Sequence, residues 1–330
     1  MEKLAIIDEK GEVSLVDYSE LDSEFFPDFC KPVGAFSYSM QSFMKLPLAE
    51  VPFYIHGWLP KMGKAEIFGS AKAGKSFLAV QLARCIGAGE PFLGIPTSKG
   101  RVLYIQFELG PKVLQGRLIA TGQAYEDVYV GTSFSMMLDR AEGQDALRRE
   151  IEAVQPEVLI LDPLYKAMAG DENESSDMKV VCNFLDTLIE DYKLSILLLH
   201  HTGKDTTRGG RGSSVLEGWV DSYIRMVKVV AEKGVVKAKL KPLLTRHAPP
   251  VDEDLMLVLN ENFEFVVGEK ATPLREKIAT FLQEMGEFHW QDVIDAGLCS
   301  RKTAYELKKV FEEAGLVTAG SERGLYKWGA

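Results

Sequence analysis

The chain has 330 residues, 46% hydrophobic and 26% charged, with a formal net charge of −10. That composition describes an ordinary globular α/β domain with room for a smaller module. It excludes a membrane span, since no apolar run approaches the roughly 20 residues needed, and it argues against a surface coated in basic groups for duplex DNA. Cys30, Cys85, Cys182 and Cys299 are scattered without a C-x-x-C pair, so neither zinc nor a disulfide framework is indicated. The start, Met1 to Asp8, is too short and acidic for a signal peptide, and a cytoplasmic location is expected.

Residues 1–50 contain two β-rich runs, Leu4 to Ile7 and Val13 to Val16, around a turn with Gly11. They predict a hairpin. The segment from Glu20 to Glu50 lacks periodicity and holds Pro27, Pro32 and Pro47, which predicts an arm packed on its own domain or on a neighbour's. Residues 51–268 are expected to form the core and residues 269–330 a separate C-terminal domain.

Ala65 to Val80 reads as an apolar strand, a glycine-framed loop and a helix start. Gly69-Ser70-Ala71-Lys72-Ala73-Gly74-Lys75-Ser76 fits G-x-x-x-x-G-K-[ST] at every fixed position. Such a loop turns successive backbone N–H groups toward phosphate oxygens, and the helix start, here Lys75 to Phe77, adds its positive dipole end. Lys75 is expected to reach the β- and γ-phosphates of ATP, and the Ser76 hydroxyl to bind Mg²⁺.

After the loop helix, Arg101 to Phe107 is a buried strand ending at Glu108. Pro111 to Thr121 is helical, Asp127 to Val130 a short strand, and Gly143 to Val154 an amphipathic helix. Val158 to Leu161 is a second apolar strand ending at Asp162. Asp177 to Tyr192 is a helix, and Leu194 to Leu199 a strand ending at His200 and His201. Alternating apolar strands and helices predict a mainly parallel sheet covered on both faces. Beyond Ser222 the pattern turns strand-rich, at Ser222 to Val230, Val235 to Leu240, Leu255 to Leu259 and Phe263 to Val267. This predicts an antiparallel extension. Past a linker at Gly268 to Pro273 come three helices, with Ser300 capping the third, and two short strands around Ala319 to Arg323. That order predicts a winged helix. From Lys270 onward 9 Lys/Arg balance 9 Asp/Glu, so the acidic excess lies wholly in residues 1–269.

Ligands of open parallel sheets sit beyond the carboxyl ends of the strands. Asp162 is placed to hold Mg²⁺, and Glu108 to orient and deprotonate an attacking water. Adjacent strand residues point to opposite faces, so one of His200 and His201 can face the γ-phosphate. Gly203 to Ser214 is rich in small residues and carries Arg208 and Arg211, suited to single-stranded nucleic-acid phosphates or equally to an ordinary solvated loop. Arg246 follows a strand and is a candidate arginine finger for a neighbouring subunit, with a surface ion pair as the alternative. In the C-terminal module Arg301, Lys302, Lys308 and Lys309 fall on the third helix and Arg323 and Lys327 on the wing, where duplex DNA could be gripped.

The set of pieces resembles the RepA-like branch of the RecA-fold ATPases, kin of DnaB-type hexameric helicases. Besides the loop, it includes Gly89-Glu90-Pro91-Phe92-Leu93-Gly94, Val102 to Glu108, Leu161-Asp162-Pro163-Leu164-Tyr165, Gly170 to Asn173, His200 to Lys204 and Arg211 to Leu216. The likeness spans about residues 55–250. It implies a RecA-like P-loop fold, Glu108 as catalytic glutamate, one of His200 and His201 as γ-phosphate sensor, and a homo-oligomeric ring, hexameric in that branch, with active sites at subunit boundaries. The trans-acting arginine then falls on Arg246, Arg211 or Arg208. The leading expectation is an ATP-driven, DNA-binding, helicase-like ATPase of replication or recombination. Its competitors are an ATP-controlled DNA-binding regulator or loader and a small-molecule kinase.

Overall fold

The structure, a computed structural model, describes residues 3–7, 13–17, 37–46, 48, 51–201, 213–229, 236–249, 254–268 and 274–329. They fall into two compact units, Met1–Val266 and Val267–Ala330. Among the described residues no helix is long and apolar enough to cross a membrane.

The first unit begins with β1 (Lys3–Ile7) and β2 (Val13–Asp17), paired antiparallel with Leu4 opposite Val16. A one-turn helix, α1 (Met40–Phe43), is capped by Ser39, whose hydroxyl accepts the Ser42 N–H. A small ladder of β3 (Phe53–Ile55) and β4 (Leu59–Pro60) leads into the central strand β5 (Lys64–Gly69) and helix α2 (Lys75–Ala88). Then follow β6 (Val102–Gln106), α3 (Pro111–Ala120), β7 (Val128–Thr132), α4 (Ala141–Val154), β8 (Val158–Asp162), α5 (Ser175–Tyr192) and β9 (Ser195–His201). Helix α6 (Ser213–Trp219) precedes β10 (Ser222–Val229), β11 (Lys237–Thr245), β12 (Leu255–Leu259) and β13 (Phe265–Val267).

Among the described residues nine of these strands, β5 to β13, form one sheet in the order β13-β12-β11-β10-β5-β9-β8-β6-β7. From β10 to β7 every neighbouring pair is parallel, and β11 and β12 extend the sheet antiparallel. This is an α/β architecture with a mainly parallel sheet, in which β9 is inserted between the loop strand β5 and the Asp162 strand β8. The inner strands read as unbroken apolar runs because both faces are covered, and all five residues of β8 are buried. On one face Leu78, Leu82 and Ile86 of α2 pack against Ile67, Leu197 and Leu199. On the other, Leu147 and Ile151 of α4 and Leu185 and Leu188 of α5 pack against Leu159, Leu161 and Leu198.

Strand β11 departs from expectation. The sequence predicts a strand ending near Leu240, whereas β11 runs to Thr245. Its lysines at 237, 239 and 241 alternate with buried Ala238, Leu240 and Pro242, a one-sided pattern interrupted by the proline. The register shift opposite Tyr223 and Ile224 absorbs Pro242, which has no N–H to give to the ladder.

The second unit holds α7 (Leu274–Met285), β14 (Glu287–Phe288), α8 (Trp290–Asp295), α9 (Arg301–Glu313), β15 (Val317–Ala319) and β16 (Tyr326–Trp328). Its strands form an antiparallel sheet in the order β14-β16-β15. Ile278, Leu282, Phe288, Trp290, Val293, Phe311 and Val317 make its core. The Ser300 hydroxyl accepts the Thr303 N–H and starts α9.

Candidate nucleotide site

The strand register brings the polar strand ends together. Gly69 of β5 lies opposite His201 of β9, and Gln106 of β6 opposite Asp162 of β8. The loop from Gly69 to Ser76 caps this edge and delivers α2, a helix of 14 residues, by its N-terminus. The framing glycines have separate reasons. A Cβ on Gly69 would stand 1.9 Å from the Met226 carbonyl oxygen, because β10 runs close beside it. Gly74 has φ +98°, a left-handed conformation that L side chains rarely adopt.

Lys75 is 5% exposed and its ammonium donates to the carbonyls of Gly69 at 2.8 Å and Ser70 at 3.0 Å. Burial pulls its pKa down to about 8, against the charges of Asp162 and Glu108. An arriving polyphosphate would supply the missing counter-charge and hold the lysine protonated. Asp162 is buried, and burial raises its pKa, opposed by hydrogen bonds from Tyr104 and Ser76 and by the charge of Lys75. Ser76 and Asp162 are therefore already in contact, as a shared Mg²⁺ site requires. The fit is chemical as well, since Mg²⁺ takes oxygen donors and is commonly held by one or two carboxylates plus substrate phosphates. Glu108 is exposed just past the end of β6, and its charge is felt at both Lys75 and Asp162.

The histidines divide as strand alternation demands. His201 Nδ1 lies 3.4 Å from Lys75 Nζ, and its ring meets Tyr165 edge-on at 5.3 Å. His200 points to the opposite face, fully buried, with Nε2 3.9 Å from a Glu172 oxygen. Only His201 therefore joins the cluster. Phe77 stacks its ring on Phe263 at 5.4 Å, beneath the Arg117 guanidinium at 5.5 Å. With Tyr125 and Glu264 these side chains line a cleft that opens beside Ser76.

Arg246 is not brought to this edge. β10 starts level with Ala65, and β11 ends opposite that start, at Ser222 and Thr245. Arg246 thus sits at the opposite end of the sheet, where Nη2 donates to the Gly218 carbonyl at 2.6 Å. Arg208 and Arg211 lie outside the described residues. In the second unit, Lys302, Lys308 and Lys309 each pair with a glutamate one turn on, at 3.9, 3.8 and 3.7 Å, and Lys308 also lies over the Tyr326 ring. Arg301, Arg323 and Lys327 are exposed.

Sequence reasoning missed Tyr104 and Gln106, which sit inside an apolar run and contact Asp162 directly. The signal was a pair of polar side chains on the same strand face, since residues two apart point the same way.

Residues 32–207, more than half of the chain, match the AAA domain family. Among solved structures, the chain is similar to the KaiC-like protein PH0186 of the hyperthermophilic archaeon Pyrococcus horikoshii OT3. The identity is 15% and the TM-score 0.48, over 67% of this chain and 98% of that one.

Proposed function

The chain belongs to the AAA domain family and is an ATPase, and we propose that it is a DNA-binding, helicase-like motor of replication or recombination that acts as a homo-oligomer. The supporting observation is the convergence of Lys75, Ser76, Asp162, Glu108 and His201 on one sheet edge beside the phosphate-binding loop. In this reading the backbone from Gly69 to Phe77 cradles the phosphates of ATP and Lys75 binds the β- and γ-phosphates. Ser76 and Asp162 hold Mg²⁺, which when bound supplies charge neutralisation at those phosphates. Glu108 takes the proton of the attacking water.

His201 is the γ-phosphate sensor. It ends β9, and the chain continues directly into the segment bearing Arg208 and Arg211, so a displacement of the imidazole is passed to groups suited to single-stranded DNA. A ring of subunits, hexameric by the RepA-like resemblance, would bring a trans arginine to each nucleotide. Arg246, Arg211 and Arg208 are the candidates.

We read the second unit as a winged helix, with α9 as recognition helix and the turn between β15 and β16 as wing. The glutamate partners of Lys302, Lys308 and Lys309 do not block this role. Exposed pairs one helical turn apart are worth only about 0.3–0.5 kcal/mol, and duplex phosphates can displace them.

The test is the ATPase rate with and without single-stranded and duplex DNA, with particle mass measured in parallel. Stimulation by single strands in a ring-sized species is the expected result. Duplex binding without stimulation or strand separation would instead make the protein an ATP-controlled regulator or loader.

A further inference from the structure

We propose that Gln106 is a positioning residue that ties the carboxylate of Asp162 to the loop carrying Glu108, an inference that rests on the ATPase reading of this edge. Gln106 closes β6 and is 1% exposed. Its amide works in two directions. Nε2 donates to Asp162 Oδ2 at 3.2 Å and to the Tyr104 hydroxyl at 3.0 Å, while that hydroxyl donates to the same Oδ2 at 2.6 Å. Oε1 accepts the backbone N–H of Glu108 at 2.7 Å and that of Leu109 at 3.3 Å.

Two donors saturate the lone pairs of Oδ2 and fix the rotation of the carboxylate. Its other oxygen is thereby left for a metal ion. The same amide pins the first residues beyond β6, so the backbone that carries Glu108 cannot drift without pulling on Asp162. A carboxamide offers a donor and an acceptor at this reach without ever carrying a charge, which suits a glutamine to the end of an otherwise apolar strand. Burial makes the arrangement costly to break, because each abandoned partner would be left unpaired away from water. Metal-site carboxylates commonly depend on such outer hydrogen bonds, and their loss typically costs roughly 10–100-fold in metal affinity or activity.

The experiment compares the full-length wild type with Gln106→Met, which keeps the volume and loses both functions, and with Tyr104→Phe, which removes one of the two donors to Oδ2. The first readout is the Mg²⁺ concentration that half-saturates the thermal stabilisation given by ADP. The second is the split of ATPase kcat against KM at saturating Mg²⁺. Gln106→Met is expected to raise the Mg²⁺ midpoint and lower kcat by roughly 10–100-fold each, with KM for ATP changed less than about threefold because the phosphate loop is untouched. Tyr104→Phe should shift both in the same direction by less, and it carries the test if Gln106→Met fails to fold. A folded Gln106→Met protein with a wild-type midpoint and kcat overturns the proposal. Asp162→Asn separates this from the underlying reading. If that variant also keeps the wild-type midpoint, Asp162 does not serve the metal and both ideas fall; if it loses it while Gln106→Met does not, only the positioning role falls.

Discussion

Glu66→Gln should make the protein more resistant to alkaline conditions. Glu66 lies in the middle of β5, level with Leu198 of β9 and Tyr223 of β10, fully buried, and neither carboxyl oxygen has a hydrogen-bond partner among the described residues. Burial, reinforced by the charge of Glu217 on α6, pushes its pKa from 4.5 up to about 8. The other ionisable groups near it do not offset this. Lys64 is taken by Asp186 of α5 at 2.8 Å, and the Cys182 thiol is itself pushed up to about 12, chiefly by burial, with the Asp186 and Glu66 charges adding to it. Because the folded pKa lies above the unfolded one, the native chain holds this proton more tightly. The associated stability is fully present below pH 4.5 and is lost as pH rises through about 8. Each pH unit inside that window is worth about 1.4 kcal/mol, so one such group costs roughly 2–3 kcal/mol between pH 6 and pH 8.5. Gln at this position stays neutral. Urea unfolding of wild type and Glu66→Gln at the two pH values should therefore show the difference moving in the variant's favour by roughly 2–3 kcal/mol. An identical difference at both pH values would show that Glu66 titrates as an ordinary surface acid, and the account of this buried carboxyl would be wrong.

Three further outcomes follow from the geometry. Glu108→Gln should leave ATP binding within a few-fold of wild type and lower kcat by roughly 10²–10⁴, read by nucleotide titration beside single-turnover hydrolysis. Gly69→Ala would drive a Cβ to 1.9 Å from the Met226 carbonyl oxygen, which is backbone. β5 and β10 must then separate, costing roughly 1–3 kcal/mol by analogy with overpacking, measurable as a lower Tm. Replacing Lys302 and Lys309 together by Ala should reduce the salt slope of duplex DNA binding by up to about 2, and an unchanged slope would remove α9 from the DNA interface.

The legible parts of this molecule are those in which one local pattern has one physical solution. The apolar run at Val158 to Leu161, bounded by Asp162, reads as a strand covered on both faces, and the fully matched G-x-x-x-x-G-K-[ST] loop before a helix reads as a phosphate cradle. Strand alternation alone split His200 from His201, although it did not say which one faces the loop. What stayed illegible depends on register between distant segments. Arg246 follows a strand, and which end of the sheet it occupies is set by the antiparallel return of β11, which places it away from its own loop and leaves its expected action on a neighbouring subunit a proposal. The basic residues of α9 were counted as charges, while their glutamate partners one turn away follow from helical geometry and were readable. Tyr104 and Gln106 hid inside an apolar run because a buried polar group declares itself only through its partner, and Asp162 lies 58 and 56 residues further along the chain.

In the proposed mechanism, the strand order gives a reason for a histidine, and not the metal-side acid, to report on nucleotide state. If β8 were hydrogen-bonded directly to β5, Asp162 would be the nearest neighbour of the loop, and no strand between them could move with the γ-phosphate. With β9 inserted, the loop strand borders a strand whose last residue, His201, stands 3.4 Å from Lys75. In the proposed mechanism His201 and the acids would respond to ATP through different strands. Asp162 is anchored on both sides, by Tyr104 and Gln106 from β6 and by Ser76 from α2, and so is built to stay still. His201 meets the Tyr165 ring edge-on, lies 3.4 Å from Lys75 and is the last residue of β9. A site that hydrolyses ATP needs the first kind of group; one that couples hydrolysis to a distant partner needs the second as well.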